Sequence, residues 1–109
     1  MNENDQKLIL RLKEDILRQL SAQVKKIIFF GSRAKGIADN DSDLDMIVLV
    51  DEKTRHLETN LDDIVYNIML ENDFHPMISL KIFSFSRFNQ ALAKGYSFYK
   101  NVEKDGIII

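Results

Sequence analysis

A chain of 109 residues, 45% hydrophobic and 29% charged, has the length and balance of one globular domain with a real core. Its net charge of −2 argues against a grip on long nucleic acid, which calls for a basic excess, and the absence of cysteine excludes disulfides and thiolate zinc sites. The opening MNENDQK lacks the basic-then-apolar pattern of a secretion signal, and no apolar run approaches the ~18–20 residues needed to span a bilayer, so a cytoplasmic location is expected.

Residues 4–22 are expected to form an amphipathic helix. Leu8, Leu12, Ile16 and Leu20 recur every four positions, Ile9 and Leu17 widen the stripe, and Asn4 or Asp5 is placed to cap the start. Lys7, Arg11, Lys13, Glu14 and Arg18 make a solvated opposite face. A strand over 24–30 follows, and its apolar end, Ile27 to Phe30, calls for cover on both faces. It stops at Gly31-Ser32, with 31–35 expected as a short helical turn. A second strand opens with Asp43 and Asp45 and continues through Ile47 to Val50.

After a polar turn at 51–54, the spacing of Leu57, Leu61, Ile64, Val65 and Ile68 predicts a helix over 55–71, with Tyr66 and Met69 packing at its flanks. The stretch 72–76 is a break with the only proline, and 77–83 alternates as a third strand. A short helix is expected from Ser86 to Lys94, stopped by Gly95, then a turn or short helix over 97–103. Tyr96, Phe98 and Tyr99 form an aromatic cluster read as a core seal or partner surface. Gly106 to Ile109 would be an edge strand with little cover. This order gives an α/β (α+β) domain over 1–109, a small mixed sheet with helices packed mainly on one face.

The chemistry concentrates at 31–45. Residues i and i+2 of a strand share a face, so Asp43 and Asp45 project side by side. Two adjacent carboxylates repel each other, and a divalent cation relieves the repulsion. Gly31 lets backbone approach a ligand, with N–H groups to cradle phosphate. Ser32 is placed to bond a phosphate or to cap a helix; Arg33 and Lys35 either add positive charge there or face solvent. A metal beside a phosphate cradle means phosphoryl or nucleotidyl chemistry. Two rival motifs fail. Gly31 to Gly36 has the spacing of a Walker A loop, but Ile37-Ala38 follow in place of Lys-Ser/Thr. An EF-hand starting at Asp39 would have Leu44 where glycine is required and Val50 where the glutamate belongs. Asp39 and Asp41 read as ordinary turn residues, and His75 as a weak candidate for proton transfer or a metal contact.

Phe30-Gly31-Ser32, ten residues, then Asp43-Leu44-Asp45-Met46 resembles the signature of the DNA polymerase β-like nucleotidyltransferases. The fuller GSRAKG and SDLD look most like the minimal nucleotidyltransferase (MNT) family, which often acts beside a HEPN-domain partner in toxin–antitoxin pairs. The resemblance implies a nucleotidyltransferase palm and Mg²⁺-dependent transfer of AMP from ATP to a hydroxyl of a partner protein, the chain being the antitoxin. It implies Asp43 and Asp45 as catalytic Mg²⁺ ligands, Gly31 and Ser32 on the β- and γ-phosphates, and Arg33 and Lys35 as further nucleotide contacts. The chain departs from the pattern on the third strand, where the family places a third carboxylate: FHPMISLKIFS, residues 74–84, contains no acid. His75, Ser79 and Lys81 occupy its polar phase, while Asp73 and Glu71 stand earlier in an open register. The departure bears on two-metal chemistry more than on nucleotide binding, since two aspartates and triphosphate oxygens suffice for one Mg²⁺. The alternative is a non-catalytic nucleotide-binding module that neutralises a partner by contact. An antibiotic-modifying enzyme fits less well, because those generally carry an additional substrate domain.

Overall fold

A computed structural model describes residues 2–36 and 42–109. The acidic-turn reading of Asp39 and Asp41 lies outside the described residues. Helix α1, Glu3–Leu20, turns Leu8, Ile9, Leu12, Ile16 and Leu20 inward, as the four-residue repeat requires. Its cap is Asn2, whose Oδ1 accepts from the Asp5 N–H at 2.7 Å, rather than Asn4 or Asp5. The Asp5 carboxylate is engaged elsewhere, as described below.

Strand β1, Val24–Phe30, runs into the five-residue helix α2, Gly31–Lys35, which ends at Gly36 with φ 76°. Strand β2 is Leu44–Val50, with Asp43 just ahead of it. Helix α3, Arg55–Glu71, starts at Thr54, whose hydroxyl accepts from the Leu57 N–H at 3.2 Å. Strand β3, Ile78–Ser84, lies one residue later than the alternation predicts. Ser84 then caps α4, Phe85–Ala93, by accepting from the Arg87 N–H at 3.2 Å, which starts this helix ahead of Ser86. Gly95, φ 80°, follows α4 as expected, its N–H bonding Leu92 O at 2.9 Å. The chain closes with α5, Ser97–Asp105, and β4, Ile107–Ile108.

The sheet order is β3-β2-β1-β4. β1 is antiparallel to β2 and β4; β3 is parallel to β2, with α3 as the crossover that a parallel pair needs. Side chains alternate across β2. Leu44, Met46, Val48 and Val50 face the larger cluster with Leu12 and Ile16 of α1 and Leu61 and Ile68 of α3. Ile47 and Leu49 face a smaller cluster with Ile28, Phe88 of α4 and Val102 of α5. Both faces of β2 are therefore covered, which accounts for its unbroken apolar run. Phe98 and Tyr99 seal the smaller cluster: Phe98 meets Phe30 edge-on at 5.9 Å and Tyr99 at 5.2 Å. Tyr66 is exposed, with its ring against Phe74, and the Met69 sulfur accepts from the Ile78 N–H at 3.2 Å. Among the described residues no helix is long and apolar enough to cross a membrane.

Candidate functional site

The two faces of β2 end differently. On the α1 and α3 side Leu44 is fully buried, whereas on the other side Asp45 is half-buried and Asp43 exposed. Across the sheet, Asp45 stands between Phe30 on β1 and Ser79 on β3. Ile47 stands between Ile28 and Lys81 in the row below. The strand ends thus bring Asp43, Asp45, Gly31, Ser79 and Lys81 to one solvent-open corner.

Gly31 directly follows the strand partner of Asp45. Its φ is 81°, in the left-handed region that side chains rarely adopt, and a Cβ at this position would strike Asp45 Oδ2. The Asp45 carboxylate occupies the space a side chain would have filled. The backbone expected to cradle phosphate and the carboxylate expected to hold a metal therefore adjoin.

Ser32 lies in the first turn of α2 and is half-buried. The cap position belongs to Phe30, and no side chain caps this helix, so Ser32 is not the cap. Arg33 is neither solvent-facing nor turned to the corner. It is 8% exposed, its Nη2 and Nε bond the two Asp5 carboxylate oxygens at 2.8 and 3.1 Å, and Nη1 bonds Ser42 O at 3.0 Å. A two-point guanidinium–carboxylate pair fixes orientation as well as distance, so Arg33 ties α2 to α1 and to the residue before Asp43. Lys35 pairs with Asp105 of α5 at 3.3 Å. This pair flanks a cleft of about 260 Å³ lined by Phe30, Gly31, Phe98 and Asn101. Spacing carried no signal for Asp5 or Asp105, which reach their partners only through the fold.

Burial, then the neighbouring Asp43 carboxylate, raise the Asp45 carboxyl above its ordinary value, while the Lys81 charge lowers it. The donor set suits a hard cation such as Mg²⁺: two carboxylates on one face, one carrying repulsion that a cation would relieve. Among the described residues no third His, Cys, Asp or Glu joins them. Glu71 accepts from Arg11 at 3.1 Å, and Asp73 sits in the turn after α3 with φ 54°. His75 lines a different cleft, of about 670 Å³, between the start of α1 and the end of α3.

A four-stranded mixed sheet with a glycine turn and a carboxylate pair at adjoining strand ends is compatible with a nucleotidyltransferase palm. The family described as nucleotidyltransferase domain matches residues 10–105, and the chain belongs to it. Membership supports nucleotidyl transfer as the general activity, with a nucleoside triphosphate as substrate; such domains typically use divalent metal ions. No curated protein matches the chain.

Proposed function

We propose that this chain, as one domain over 1–109, transfers AMP from ATP to a hydroxyl of a partner protein, and that it belongs with the MNT antitoxins that pair with HEPN-domain proteins. Gly31 and Ser32 hold the β- and γ-phosphates. Asp43 and Asp45 hold Mg²⁺, which when bound offsets the charge that builds on the α-phosphate. Lys35 stands at the rim beside Gly31, and Arg33 acts from behind, holding α2 and Ser42 in place. The acceptor oxygen attacks the α-phosphorus, the bond to the bridging oxygen breaks, and pyrophosphate leaves. The hydroxyl proton passes to water or to a group of the partner. A cytoplasmic setting, where Mg·ATP is plentiful, suits this reading.

The observation that carries it is the Gly31–Asp45 contact, which joins the two halves of the motif in one place. The rival reading, a nucleotide-binding module that neutralises its partner by contact, draws on Ser79 standing where a third carboxylate would complete the acid set. One experiment separates them. The chain is incubated with Mg·ATP and the product of the adjacent open reading frame, and the partner's intact mass is read. Transfer adds one AMP, and Asp43→Asn with Asp45→Asn abolishes the gain while leaving the complex intact. An unchanged partner mass, with neutralisation equal in wild type and double variant, favours the module.

A further inference from the structure

The corner holds an acid pair, and the cations in and around it differ in their engagements. Arg33 is bound by Asp5 and Ser42, and Lys35 by Asp105. Lys81 is exposed, and among the described residues no salt bridge engages it. It lies on β3 two residues beyond Ser79, the strand neighbour of Asp45, and therefore on the same face of the sheet. Buried Ile47 is its own neighbour, so the lysine stem borders an apolar floor while the ammonium remains in water.

We propose that the Lys81 ammonium is a phosphate ligand of this site, a fixed positive charge beside Asp45 that binds the triphosphate directly and leaves room for one divalent cation instead of two. The inference rests on the nucleotide site proposed above. A second divalent ion would need a further acidic ligand, which β3 does not supply, and would meet a like charge in Lys81. An ammonium offers three N–H donors and a unit charge to phosphate oxygens without requiring a carboxylate to hold it. Lysine at this position thus does in part what a second metal ion would do: it draws negative charge toward Asp45 and offsets it there.

The test uses α,β-methylene ATP, which cannot transfer AMP, and Mn²⁺ as the metal. Without divalent metal, Lys81→Met binds the analogue about tenfold more weakly than wild type, or worse, as expected for loss of a charge-assisted bond. Lys81→Arg recovers much of that affinity, and the ligand-free thermal midpoints of all three proteins agree. With analogue and Mn²⁺, paramagnetic resonance counts one Mn²⁺ per wild-type chain, and Lys81→Asp admits a second. Equal metal-free affinity in wild type and Lys81→Met, or two Mn²⁺ ions on wild type, overturns the role of Lys81 and leaves the nucleotide site standing. Failure of wild type to bind the analogue with or without Mn²⁺ overturns both.

Discussion

The Asp45 carboxylate fills the place where Gly31 would carry a side chain. Gly31 is thereby required twice, by its φ of 81° and by its neighbour. Backbone in the left-handed region costs a non-glycine residue about 1–2 kcal/mol, and displacing a carboxylate adds to that.

Gly31→Ala is therefore expected to destabilise the fold by about 1–3 kcal/mol and to weaken Mg·ATP binding, because Asp45 must turn away. In an Asp45→Ala background the collision is gone and only the backbone strain remains, so the same substitution costs less. Urea denaturation of the two single variants and the double variant measures the coupling. Effects that add to within about 0.5 kcal/mol would show that the two residues do not meet.

The Arg33–Asp5 pair yields a second prediction. Both groups are buried, with Asp5 at 2% exposure, so removing either takes a buried counter-charge from the other. Asp5→Leu or Arg33→Met alone should cost about 3–5 kcal/mol, whereas both together should cost clearly less, since an apolar pair leaves no buried charge. Chemical denaturation again decides. A double variant as unstable as the sum of the singles would mean that packing, not the ion pair, sets the loss.

These two relationships differ in how far the sequence revealed them. Gly31 and Asp45 stand in a motif whose spacing is visible, and the strands around them are short apolar runs with clear stops, so both elements and corner were legible. The register that sets Ser79 beside Asp45 followed once β3 paired with β2 in parallel. Asp5 was not legible as a partner. Twenty-eight positions separate it from Arg33, and an acid at a helix start reads as a cap unless the fold delivers a guanidinium to it. The same holds for Asn2, which is the cap because the helix begins at Glu3 and takes in Asn4 and Asp5 as its first turn. Phe98 and Asn101 beside Gly31 depend on how α5 returns to the sheet, which no local pattern encodes.

The raised Asp45 carboxyl predicts the sign of a pH effect. Its folded-state value lies above the ordinary 3.8, through burial first and Asp43 second, so the folded protein holds this proton more tightly than the unfolded chain does. The contribution to stability is favourable at low pH, declines as pH rises from about 3.8 through the folded value, and is absent as a benefit above it. Asp45→Asn removes the buried repulsion. It should be more stable than wild type at pH 7 without divalent metal, with the advantage shrinking as pH falls through the raised folded value toward 3.8 and absent below it. Urea midpoints across this range check it, and an Asp45→Asn variant less stable than wild type at pH 7 would contradict it. Millimolar Mg²⁺ with ATP should narrow the difference, because only wild type gains from binding.

The last prediction concerns Ser79, which pairs with Asp45 across β2 and β3 and is half-buried. Ser79→Asp places a third carboxylate beside the existing two. Without divalent cation the variant should be less stable than wild type, because three like charges then share one corner and parallel neighbours lie only about 5 Å apart. Mn²⁺ should reverse the order, since a three-carboxylate set binds the ion more tightly and stabilises by the logarithm of its concentration over the dissociation constant. Thermal midpoints measured with and without millimolar Mn²⁺ supply both arms. Nucleotide and partner play no part in them, so they report on the geometry of the corner alone. If Ser79→Asp shows the same Mn²⁺ response as wild type, its side chain does not reach the aspartate pair and the register at this corner differs from the one described. If the response is larger and disappears on adding Asp45→Asn, the empty ligand position has been found, and Ser79 is the residue that holds it open.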